Sequence, residues 1–93
     1  MKVTVKFYSY LRDLIGKKTM IEIDLDEGAI ISHLLEELFL DPQIKAALLD
    51  ENQEFKSDIT LLKNGREITF IDGMETKLEP GDEISVFPLV AGG

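Results

Sequence analysis

Residues 80–93 read Pro80-Gly81-Asp82-Glu83-Ile84-Ser85-Val86-Phe87-Pro88-Leu89-Val90-Ala91-Gly92-Gly93, and the placement of this stretch decides the order of elements in the whole chain. Pro80-Gly81 marks a turn. From Glu83 to Pro88 the side chains alternate, Ile84 and Val86 toward one face and Ser85 and Phe87 toward the other, as in a strand with one buried side. Phe87 and Leu89 fall out of phase with the buried pair, so they are expected on the outer sheet face near Leu62. With Pro88 they form an expected docking patch. Proline lacks the amide that a ladder needs, which predicts that pairing ends at the Phe87-Pro88 step and that residues 89–93 form a flexible tail. Glycine costs more entropy to order than any other residue, so the Gly92-Gly93 end does not serve the core. Extended, the five residues from Leu89 reach about 16 Å beyond the body. That is enough to thread Val90, Ala91 and Gly92 through a narrow channel and present the Gly93 carboxylate inside a partner.

Working outward, Lys2 to Phe7 alternates in the same way, with Val3, Val5 and Phe7 on the buried side. Tyr8 to Ile15 reads as a short helical turn closed by Gly16. Met20 to Leu25 then returns as a second strand, burying Ile21, Ile23 and Leu25, and the two strands form an antiparallel pair. From Ile31 the period changes to that of a helix: Ile31, Leu34, Leu35, Leu38 and Phe39 share one face. The start of this helix is poorly capped, because Ile30 stands where Ser, Thr, Asp or Asn would accept the first amides. A shorter helix is expected from Pro42 to Leu49, followed by a charged loop from Asp50 to Asp58. Ile59 to Lys63 forms another strand, ended by a tight turn at Asn64-Gly65. The order is strand, strand, helix, strand, irregular segment, strand. With the first and last strands adjacent and parallel at the centre, this is an α+β chain of the ubiquitin-like β-grasp type, a mixed sheet wrapped around one main helix. The whole of residues 1–93 is expected to form a single domain.

Composition narrows the chemistry. At 93 residues the chain buries only about 60–65% of its unfolded surface, which leaves little room for an internal catalytic cavity. With 18 acidic and 10 basic residues the net charge is -8, so nucleic acid and anionic membranes are disfavoured as partners and a basic protein face is favoured. No cysteine is present, which removes disulfides, thiolate metal sites and thiol nucleophiles. His33 is the single histidine and is predicted on the solvent face of the helix, so no metal site is expected. Asp24, Asp26 and Gly28 do not meet the spacing of a calcium loop. Lys45, Lys56, Lys63 and Arg66 are candidates for pairing with acidic groups on a partner. The start of the chain alternates rather than forming an apolar signal core, which predicts a cytoplasmic protein.

The runs Lys6-Phe7, Leu11-Arg12-Asp13-Leu14-Ile15-Gly16, Asn64-Gly65-Arg66 and Leu78 through Gly93 together resemble the molybdopterin synthase small-subunit and thiamine sulfur-carrier family. The likeness spans the whole chain and is most specific from Pro80 to Gly93. Two positions depart from the family pattern, Ile30 in place of a capping Thr and Leu89 in place of a second proline. The resemblance implies a sulfur carrier and not an enzyme. A ubiquitin-activating-like adenylating enzyme would spend ATP to adenylate the Gly93 carboxylate, and a persulfide sulfur donor would displace AMP to leave a thiocarboxylate. The chain would bind no cofactor itself. Its length favours the synthase small subunit, docking on a large catalytic subunit in molybdopterin biosynthesis, over the shorter carrier of thiamine synthesis, which lacks a segment like Pro42 to Asp58. Two alternatives stay open: a ubiquitin-like protein modifier conjugated through Gly93, and a β-grasp domain that serves interaction alone.

Overall fold

The computed structural model describes residues 1–16 and 19–89. Its strands are β1 (Lys2–Phe7), β2 (Met20–Asp24), β3 (Ile59–Lys63), β4 (Arg66–Glu67) and β5 (Glu83–Pro88). The helices are α1 (Leu11–Leu14), α2 (Ile31–Leu38) and α3 (Pro42–Leu48). All five strands form one sheet in the order β2-β1-β5-β3-β4. β1 and β5 pair in parallel at its centre, with Val5 beside Ile84 and Phe7 beside Val86. β2 pairs antiparallel with β1, and β3 pairs antiparallel with both β5 and β4. The fold is the expected ubiquitin-like β-grasp.

One side of the sheet carries the core. Val3, Val5 and Phe7 from β1 and Ile84 and Val86 from β5 pack against Ile31, Leu34 and Leu38 of α2, with Ile44 and Leu48 of α3 and Leu11 and Ile15 closing the ends. Ile21 and Ile23 of β2 are half-buried rather than buried, because β2 is an edge strand and α2 covers the middle of the sheet. The alternation of β2 is correct in phase and overstated in depth.

The missing cap of α2 is replaced from elsewhere. Ile30 has no acceptor in its side chain, but its own N–H donates to His33 Nδ1 at 3.1 Å, half of a capping box. The Ile31 N–H donates to the Thr76 carbonyl at 3.0 Å, and Ile30 bridges Lys77. A loop about 45 positions downstream thus satisfies one of the orphan amides of the first turn, that of Ile31. By contrast α3 is capped locally: the Asp41 carboxylate accepts from the Gln43 and Ile44 amides, and Pro42 fills the first turn.

The start of β5 is fixed by a cluster of charged and polar groups. Asn64 and Gly65, with φ of 49° and 87°, make the two-residue turn between β3 and β4. From that turn Asn64 Nδ2 donates to Asp82 Oδ1 at 2.9 Å, while the Glu83 N–H donates to Asn64 Oδ1 at 2.9 Å. The other Asp82 oxygen accepts the Glu79 N–H at 2.8 Å, closing the Pro80-Gly81 turn. Lys63 Nζ approaches Asp82 at 3.4 Å and Glu79 at 3.5 Å, and donates to the Lys77 carbonyl at 2.8 Å. Lys63 and Asp82 side chains are only 15% and 8% exposed, so this pair is screened far less than a surface one. Lys63, a candidate for pairing with a partner, is therefore engaged within the fold.

Asp82→Ala leaves the Lys63 ammonium with Glu79 as its one carboxylate and strips the Glu79 and Asn64 donors of their acceptor. The expected loss is about 2–3 kcal/mol, read as a fall of about 2 M in the urea midpoint with an unchanged slope.

Candidate functional site: the root of the tail

Because β5 is parallel to β1, its last residues arrive beside the chain that leaves β1. The Tyr8 N–H donates to the Val86 carbonyl at 3.1 Å, and the Tyr8 ring stacks on Phe87 with centroids 4.3 Å apart and planes 10° from parallel. Such a pair contributes about 0.5–1.5 kcal/mol beyond its buried area. Across β3, Thr60 stands opposite Phe87 and Leu62 opposite Ser85, so Leu62 lies diagonal to Phe87 on the outer face, where the alternation put both. Met20, opposite Lys6 on β2, extends the apolar strip to the sheet edge. Met20 on β2, Tyr8 just past the end of β1, Phe87 on β5 and Leu62 on β3 thus form a strip on the face away from α2.

Pro88 departs from the expected patch. It is buried, in phase with Ile84 and Val86 and opposite Ile59, so it faces the helices and not the outer surface. Nor does it end the pairing: a proline removes only its own amide, and the next one, Leu89 N–H, donates to the Asp58 carbonyl. The Leu89 side chain is 61% exposed while its backbone is held. Val90, Ala91, Gly92 and Gly93 lie outside the described residues.

Asp58 serves the tail root twice. Its carbonyl accepts from Leu89, and its carboxylate Oδ2 accepts from the Tyr10 hydroxyl at 2.8 Å. Tyr10 reaches it because Ser9 adopts φ 59°, a left-handed conformation that turns the chain sharply between the two tyrosines. Tyr8 thereby grips β5 from the β1 side and Tyr10 ties down the β3 side. Neither tyrosine nor Asp58 stood out in the sequence. The β1–β5 register places Tyr8 beside Phe87 and could have indicated it, whereas Tyr10 and Asp58 are 48 positions apart with no local pattern joining them. Of the other candidate cations, Arg66 Nη2 donates to the Phe70 carbonyl at 3.2 Å. His33 is exposed and serves as the amide acceptor for Ile30. Among the described residues no three His, Asp or Glu side chains converge as a metal site would require, and no helix is long and apolar enough to cross a membrane.

The hydrogen bond to Asp58 raises the Tyr10 pKa above the ordinary 10.0, with desolvation and the Asp58 charge adding to it. A raised folded-state value means that this contact stabilises the fold below the unfolded pKa, and that the contribution disappears as pH rises through the folded one. Asp58→Asn removes the charge and weakens the acceptor. It is expected to lower the Tyr10 titration midpoint, followed by NMR of the ring; an unchanged midpoint would mean that the bond is not formed in solution.

The model of the ThiS family matches residues 5–93. Small archaeal modifier protein 3 of Haloferax volcanii is 39% identical over 93 residues, 100% of both chains. The structure of a putative molybdopterin converting factor, subunit 1, from Pyrococcus furiosus superposes with a TM-score of 0.74 at 31% identity, covering 97% of this chain and 99% of that one. A chain in the complex of subunits 1 and 2 of molybdopterin-converting factor from Helicobacter pylori 26695 gives a TM-score of 0.69 at 25% identity, with 100% of both covered. On its sequence from residue 5 to Gly93 and on its fold, the chain belongs to the ThiS family of small ubiquitin-like carrier and modifier proteins.

Proposed function

We propose that the chain carries sulfur on its C-terminal carboxylate as the small subunit of a molybdopterin synthase. The observation that supports this most is the family match running through Gly93, joined to a tail root in which Leu89 leaves an otherwise buried strand exposed. A carboxylate is a poor electrophile until one oxygen becomes a good leaving group. An adenylating enzyme supplies that by transferring AMP from ATP to Gly93 and releasing pyrophosphate. The terminal sulfur of a persulfide donor then attacks the acyl carbon and expels AMP; a second thiol, supplied by the donor or the activating enzyme, attacks the donor-side sulfur of the resulting acyl disulfide, leaving the thiocarboxylate on Gly93 and a disulfide between the two thiols. Neither Gly92 nor Gly93 has a Cβ to obstruct attack or passage through a channel, and with no cysteine in the chain no thiol competes for the sulfur.

The large catalytic subunit would receive this tail. The Helicobacter pylori relative in its complex of subunits 1 and 2 favours such a partner, and the strip of Met20, Tyr8, Phe87 and Leu62, with exposed Leu89, offers it an apolar face. The body of the protein would act as a cytoplasmic handle for two successive enzymes.

A second reading has its own support. The full-length relative at 39% identity bears the name of a modifier protein, and attack of a lysine amine on the same acyl adenylate would give an isopeptide with loss of AMP. Higher-mass adducts in lysate that disappear when Gly93 is deleted favour that reading. Both depend on a free terminal carboxylate. Appending one residue after Gly93 is expected to abolish sulfur transfer and conjugation while leaving the melting temperature unchanged; activity retained with the extension uncleaved contradicts both.

A further inference from the structure

We infer that Tyr10 and Asp58 are positioning residues that fix the direction in which the chain leaves β5, and so control how readily the carboxyl terminus enters an activating enzyme. The inference rests on the carrier reading above and adds residues to it.

Among the described residues, Asp58 is the point at which the chain is held after the strand ends. Its carbonyl takes the Leu89 amide, the first donor after the amide-free Pro88. A single backbone bond at the end of a strand frays readily unless its partner is itself held. Asp58 lies directly before β3, and the tie to a second element comes through its carboxylate, which accepts from Tyr10. Tyr10 is set in place by α1, which it precedes, and by the left-handed Ser9. A non-glycine residue in that conformation is strained and persists where the surroundings determine it. Here the turn puts Tyr8 on Phe87 and Tyr10 on Asp58 at once. The consequence is a root gripped from both neighbouring strands, with Leu89 emerging in one direction.

Fixing the exit matters because a tail that must thread a channel loses conformational freedom on entry. Every residue already ordered in the free protein lowers that loss. The contact is exposed, with Tyr10 43% accessible, and it is remote from the reacting carboxyl, so it should govern capture of the tail rather than chemistry at Gly93.

The test compares the full-length chain with Tyr10→Phe, Asp58→Asn and the double variant, each shown by circular dichroism to be folded. Hydrogen exchange of the Leu89 amide reads the clamp itself. ATP–pyrophosphate exchange with the adenylating enzyme reads its effect. Tyr10→Phe is expected to speed Leu89 exchange about threefold to tenfold and to raise KM for the carrier by a similar factor with kcat unchanged. Asp58→Asn keeps a neutral acceptor and is expected to show a smaller change. The double variant should be no worse than Tyr10→Phe, since both act through one bond. Unchanged Leu89 exchange in Tyr10→Phe overturns the clamp whatever the activity, and a fall in kcat in place of the rise in KM overturns its role in capture. If the wild-type chain supports no pyrophosphate exchange, the carrier reading fails and, with it, the role in capture; the exchange of Leu89 then still decides whether the clamp exists.

Discussion

The parallel pairing of β1 with β5 is the constraint on which the rest of this molecule depends. Parallel neighbours cannot be joined by a tight turn, so everything between Phe7 and Glu83 becomes one long crossover, and α2 lies within it over the sheet that it must cover. Both central strands are then apolar on their inner side, with Val3, Val5, Ile84 and Val86 fully buried. The same pairing decides where the chain ends. Because β5 runs with β1, its last residues come out beside Tyr8 and Tyr10 at one end of the sheet.

The two ends of β5 are held by interactions of different strength. At its start, Lys63, Asn64 and Asp82 form a nearly closed polar cluster in which each removed partner strands another. Charges held that way are costly to disturb. At its end, the Tyr8–Phe87 stack and the Tyr10–Asp58–Leu89 chain of hydrogen bonds lie at the surface, where water competes and each contact is worth less. The end of β5 is therefore the weaker of its two anchorages and can shift without loosening the beginning. This division suits the carrier role proposed above, in which the body is recognised and the chemistry lies at Gly93.

Periodicity made most of the fold legible, because alternation in Lys2–Phe7 and Glu83–Pro88 and the helical spacing of Ile31, Leu34, Leu35 and Leu38 are local signals. What it left out was non-local. The Ile31 amide at the start of α2 finds its acceptor in the Thr76 carbonyl, and a main-chain acceptor has no signature in residue type. Lys63 reads as a surface cation until the Asn64-Gly65 turn folds Asp82 against it. Pro88 reads as a stop, yet in a strand it can fill an inner position and leave the following amide free to pair. The outer-face positions of Phe87 and Leu62 were evident from phase alone, but the Tyr10–Asp58 contact joins positions far apart in sequence. The role proposed for Gly92-Gly93 comes from the resemblance together with their lack of side chains, and it lies outside the described residues.

The most direct test of the central claim is intact-mass spectrometry of the full-length chain isolated from its own cells, with fragmentation to locate any change. The expected result is a fraction bearing a sulfur-for-oxygen exchange at Gly93, increased when the chain is incubated with its adenylating enzyme, ATP and a persulfide donor. A terminus that stays an unmodified carboxylate under those conditions, with the enzyme shown to be active on another carrier, would contradict it.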